Sequence, residues 1–211
     1  MSRRKHPDIE MLKTDPAYNQ VMALDFGNMI PFVLEHIWKK GIPAYVFALV
    51  NGAMLIGIPV LTVVGFTGHS ITWTRMLLHG VSGIVAGSLL IIPVHELLHG
   101  LVYRILGAKR IRFGVDFQQF IFFVTADRHP VSGIQLGFIA LAPFVVINLA
   151  TCLIVLFLFP GLLLFSCFFL LTHNIMCIGD FAMVNYVSRH KQALYSFDEP
   201  EKKMSYFYEV V

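Results

Sequence analysis

The chain has 211 residues, 56% of them hydrophobic and 14% charged, with a mean hydropathy of +0.70. That composition excludes an ordinary soluble domain and points to a single-domain integral membrane protein, with membrane lipid as its first partner. The formal charge is only +3, and no basic stripe is interleaved with aromatics, so nucleic acid is not an expected partner.

Residues 1–40 contain Arg3, Arg4, Lys5, Lys13, Lys39 and Lys40 but no apolar run long enough to span a membrane. No apolar core follows the opening basic residues, which argues against a cleaved signal peptide. These residues are expected to form an exposed cytoplasmic arm, with Val21 to Trp38 as an interfacial amphipathic helix broken at Pro31. A first span is expected from Gly41 to Phe66, kinked at Pro59, and a second from Leu77 to Leu106. The second span would be about 45 Å long, more than a hydrocarbon core of about 30 Å, so it must tilt or project. Gly80, Gly83 and Gly87 give it a surface for close helix approach.

Residues 107–130 break the pattern: Arg110, Arg112, Asp116 and Gln118 alternate with Ile111, Phe113, Val115 and Phe117. That period of two predicts a β-hairpin turning near Gln118 and Gln119. A third span is expected from Ile134 to Phe159 and a fourth from Leu162 to Val187, leaving 188–211 as a cytoplasmic tail with a disordered stretch at 198–203. The expected fold class is thus an all-α polytopic membrane protein of about four transmembrane helices, with one small hairpin between the second and third. Residues 41–187 form its membrane-embedded domain. Cys152, Cys167 and Cys177 lie in apolar runs without C-x-x-C spacing and read as small core residues. With both termini cytoplasmic, 15 of the 16 Lys and Arg fall on the inner side and only Arg75 outside, which sets the expected orientation.

Chemistry enters at His95-Glu96-Leu97-Leu98-His99, the pattern H-E-x-x-H inside the second span. Residues four apart share a helix face, so His95 and His99 can aim their ring nitrogens at one point, as zinc requires. Glu96 then sits within reach of a metal-bound water, the place for a general base. With nine His and six Glu in the chain, the pattern arises by chance about once in a hundred such sequences. Ionisable groups at hydrocarbon depth are costly and usually functional.

Catalytic zinc takes three protein ligands and keeps one position open. Across the four spans the only carboxylates are Glu96 and Asp180, which makes Asp180 the candidate third ligand, with Asp127 or His129 as fallback. His95 and His99 precede Arg104 by nine and five residues, and Asp180 precedes Arg189 by nine. All three would therefore lie on the order of 8 to 14 Å inside the same boundary. His173, seven residues before Asp180, and Asn174 are candidate cleft-lining residues.

A polytopic chain with His95-Glu96-Leu97-Leu98-His99-Gly100 in one helix and Gly179-Asp180 in a later one resembles the site-2 protease class of intramembrane zinc metalloproteases. It is most similar to the small bacterial zincin peptidases related to that class, over roughly residues 77–187. The stretch from Leu141-Ala142-Pro143 to Asn148 is similar to a segment between the ligand helices in the class. The second motif departs from the better-known N-x-x-P and Asp-Gly pattern, since Asn174 precedes Asp180 by six and Phe181 follows it. The resemblance implies His95, His99 and Asp180 as zinc ligands, Glu96 as catalytic base, and cleavage of a transmembrane or membrane-proximal substrate held extended against a strand edge. It also implies a bacterial cytoplasmic membrane. The competing expectation is a non-proteolytic membrane protein whose metal site is structural or serves transport. A scaffolding or lipid-modifying protein in which H-E-x-x-H binds nothing is the third. Oligomeric state stays open.

Overall fold

Apolar runs in lipid have no water to satisfy their amides, so they close their hydrogen bonds within helices. The computed structural model describes residues 7–117, 119 and 121–211, and such runs form its long elements. α1 (Ile9–Thr14) and β1 (Tyr18–Asp25) open the chain, followed by α2 (Met29–Ile37) and α3 (Ile42–Thr67). α4 (Trp73–Val85) runs through a π-helical turn at Ala86–Leu90 into α5 (Ile92–Ile105). Strands β2 (Ile111–Asp116), β3 (Ile121–Ala126) and β4 (Val131–Ser132) lead to α6 (Gly133–Phe157). α7 (Leu163–Met176) and α8 (Ile178–Ser188) follow, and β5 (Leu194–Glu199) and β6 (Met204–Val210) close the order. α3, the continuous Trp73–Ile105 unit and α6 are each long and apolar enough to cross a membrane. The fourth expected span is a pair, Pro160–Met176 and Ile178–Ser188, bent by 49°.

The all-α expectation is overturned: the described residues are 65% helical and include two β-sheets with six strands between them. Four antiparallel strands are ordered β1-β6-β5-β4, and β2 pairs with β3 in a separate hairpin. The segments read as arm and tail supply three of the four strands of the larger sheet, β1 from the one and β5 and β6 from the other, and Tyr18 stands opposite Val210 and Asp25 opposite Met204. Residues 198–203, expected to be disordered, end β5 and turn through Pro200–Lys202 into β6, with Lys203 left-handed at φ 54. The helix expected from Val21 to Trp38 is shorter and follows a strand. Pro31 does not break it, because in the first turn a missing N–H forfeits no intrahelical bond. Among the sequence expectations, Arg3, Arg4, Lys5 and the turn residue Gln118 lie outside the described residues.

Close approach fixes the helix layout. A Cβ at Gly83 would meet the Phe165 carbonyl at 2.6 Å, and one at Gly87 would clash with the Phe169 carbonyl and Thr172. α4 and the π-turn therefore lie directly on α7. α2 is clamped to α8 by Asn185, fully buried, whose Nδ2 donates to the carbonyls of His36 and Lys39, both at 2.8 Å. The first is an end carbonyl of α2 and the second lies just past its C-cap Trp38, so the amide caps the C-terminus of the helix.

Sheet and helices share one core, in which Leu24, Phe32, Tyr103, Leu136, Ile139 and Phe207 cluster. Asp198 stitches its polar edge. Its Oδ1 accepts from Ser205 Oγ at 2.6 Å, and its carboxylate also accepts from the Ala126 amide and the Tyr103 hydroxyl. Burial pushes this carboxyl up to about 6 from 3.8, against the opposing pull of those donors. The folded state therefore holds a proton that the unfolded chain releases. Asp198 costs the fold nothing below about pH 4, and stability is lost as pH rises from there through about 6. The Asp198→Asn variant should lose ground to wild type at about pH 4 and gain on it by about pH 7.5. Thermal unfolding of metal-free protein in detergent measures both.

Candidate metal centre

α5 carries His95, Glu96 and His99 in its first two turns, directly after the π-turn that reorients the helix. Such turns insert one residue into the helical register and recur at functional sites. Gly100 follows, where a Cβ would come 3.2 Å from the Phe113 ring, so the hairpin seats against this face of α5. Asp180 reaches the same point from the first turn of α8.

The three side chains converge. His95 Nε2 lies 3.0 Å from His99 Nε2, 3.4 Å separates His95 Nε2 from Asp180 Oδ2, and 3.4 Å separates His99 Nε2 from Asp180 Oδ1. One donor atom from each falls within 4.8 Å of the others. Protonation follows from the far side of each ring. His99 Nδ1 lies 2.8 Å from the Ile139 carbonyl, which only accepts, so Nδ1 carries the proton and Nε2 presents a bare lone pair. His95 Nδ1 lies 3.2 Å from His173 Nε2. A proton on that Nδ1 leaves the second Nε2 bare as well.

Such a set fits zinc. At Zn–N of about 2.05 Å, tetrahedral ligand atoms stand about 3.3 Å apart, close to the separations in the chain. Glu96 supports the fit: its Oε2 is buried and has no hydrogen-bond partner among the described residues. A buried carboxylate oxygen left this way is expensive unless something else belongs beside it.

The donors open onto a cleft of about 520 Å³, walled by Met29 and Val33 of α2, Phe123 and Thr125 of β3, and Met183 of α8. Its size suits a short peptide segment and its walls are largely apolar.

The remaining candidates are placed as follows. The His173 ring reaches the cleft wall while backing His95. Asn174, fully buried, exchanges amide hydrogen bonds with Asn148 at 2.7 and 3.1 Å, tying α7 to α6. Asp127 is held by Arg112 at 3.0 Å, and His129 lines the cleft. Cys177, read as a core residue, is fully buried with Sγ 3.7 Å from His173 Nε2, and forms a second cluster with His95 and His173. That cluster uses His95 through its other nitrogen and so lies behind the first. The walls from α2 and β3 had no local signal in the sequence beyond apolarity. Cys177 had one, its spacing four after His173.

Two helical histidines in H-E-x-x-H, a carboxylate from a later helix and a glutamate beside them define the zincin type of site. A family described as "putative zincin peptidase" matches residues 88–195, and the chain belongs to that family. It is therefore a metallopeptidase of the zincin kind, for which the family implies zinc. No curated protein and no solved structure matches the chain.

Asn174 ties α6 to α7 and is not one of the converging donors. Asn174→Ala should cost about 1 kcal/mol, the usual worth of an interhelical amide pair in a membrane protein. Detergent melting should fall while bound zinc per chain, counted by metal analysis, stays at the wild-type level.

Proposed function

We propose that the chain is an intramembrane zinc endopeptidase that hydrolyses peptide bonds of transmembrane or membrane-proximal proteins. The observation that carries this is the meeting of His95 Nε2, His99 Nε2 and the Asp180 carboxylate beside the Glu96 oxygen that has no partner among the described residues. Three donors from side chains at this point, rather than four, favour a catalytic over a structural site. The proposed setting is a bacterial cytoplasmic membrane, with α3, the α4–α5 unit, α6 and the bent α7–α8 pair in lipid and both sheets on the cytoplasmic side.

His95, His99 and Asp180 would hold the zinc. When bound, zinc lowers the pKa of a water towards about 7 and polarises a carbonyl oxygen. Glu96 Oε2 takes the proton from the attacking water and later delivers it to the leaving amine. His173 holds the His95 ring from behind, and the apolar walls exclude bulk water. A substrate helix has its carbonyls already bonded, so it must unwind before one can be attacked. The hairpin has only two strands, and the edge of β3 away from β2 gives the unwound segment a backbone to pair with.

Glu96→Gln should keep zinc at about one per chain yet lower cleavage of a transmembrane peptide library in proteoliposomes by about 10²-fold or more. Asp180→Ala should lose the metal itself. Unchanged turnover in Glu96→Gln, or wild type without zinc, overturns the proposal.

A further inference from the structure

A helical N–H donates to the carbonyl four residues earlier. The donor for Ile139 would be residue 143, which is proline and has no N–H. Ile139 is 3% exposed, so its carbonyl has neither water nor the helix to satisfy it, and buried carbonyls are seldom left unpaired. The ring of His99 fills that place, with Nδ1 at 2.8 Å.

We propose that Pro143 is a positioning residue of the metal centre: by withholding an N–H from α6 it reserves the Ile139 carbonyl for His99 Nδ1–H. That bond sets the tautomer and the rotation of the ring, so that Nε2 is the atom turned to His95 and Asp180. An ordinary residue at 143 would bring a competing donor to the same oxygen. His99 would then lose its partner or share it, and Nε2 would no longer be held with its lone pair forward. Pro143 is itself fully buried in α6, a helix that packs against α5, whereas the second intrahelical proline, Pro59, lies exposed on α3.

This inference rests on zinc as the occupant proposed above, and its tests read metal binding and ring protonation rather than turnover. Purified full-length wild type, Pro143→Ala and Pro59→Ala are titrated with zinc against a chelator, and their cobalt-loaded forms are compared by visible absorption. Pro143→Ala should bind zinc about 10- to 100-fold more weakly, the usual effect of removing a partner that orients a ligand. Its cobalt bands should shift, while metal-free melting stays level or rises. Pro59→Ala should match wild type in affinity and spectrum. Replacing Pro143 by lactate, which has neither ring nor N–H, should restore affinity. Nitrogen-15 spectra of zinc-loaded wild type should show His99 protonated at Nδ1, a measurement that stands even where Pro143→Ala fails to fold. Equal zinc affinity and equal cobalt spectra in wild type and Pro143→Ala overturn the inference alone, as does a His99 with bare Nδ1. Wild type that binds no zinc overturns the proposed function together with it.

Discussion

Two imidazole nitrogens and a carboxylate face one another across 3.0 to 3.4 Å. Lone pairs at that range repel, and the low dielectric around them strengthens the repulsion. With both Nε2 atoms bare, the arrangement is tolerable only with positive charge among them, from a proton or a metal ion. The surrounding architecture holds the rings against that repulsion. Ile139 and His173 take the back of each ring, the π-turn sets the pitch at which α5 presents them, and the Asn185 clamp keeps α8, which bears the carboxylate, against α2.

The hydrogen bonds behind the rings divide the labour between two helices. α6 contributes a main-chain oxygen and α7 a side chain, so the two imidazoles have different partners although they share one helix face. A carbonyl cannot lend a proton and an imidazole can, so His95 has a backing group able to exchange protons and His99 does not. At the polar edge of the shared core, Asp198 joins α5, β3 and β6 through one carboxylate. The long apolar helices and the larger sheet are thereby one folded unit, not a bundle with a flexible cap.

Local and long-range signals fared differently in the sequence. H-E-x-x-H is legible because four residues on a helix fix a geometry without help from the rest of the fold. Asp180 could be singled out because the spans hold no other carboxylate besides Glu96. The small-residue face at Gly83 and Gly87 was equally plain, although its partner helix was not. What escaped was pairing between distant segments. Tyr18–Asp25 carries little alternation of its own and becomes a strand because β6, about 190 residues later, offers it an edge. Asp198 to Lys203 looked like a solvated tail because charge and proline are also what a tight turn uses, and its left-handed residue is Lys203 where glycine would have given notice. The bend at Cys177 has no proline to mark it.

The cleft is walled by pieces from opposite ends of the chain: Met29 and Val33 near one, Ser196 and Phe207 near the other. The converging donors are complete once α8 has been made, but the wall from β5 and β6 leaves the ribosome after them. A nascent copy thus owns its reactive groups before it owns the enclosure that shields them from water and aligns a chain against them. Peptidase competence therefore waits for β5 and β6, and polypeptides beside the nascent chain are spared until then.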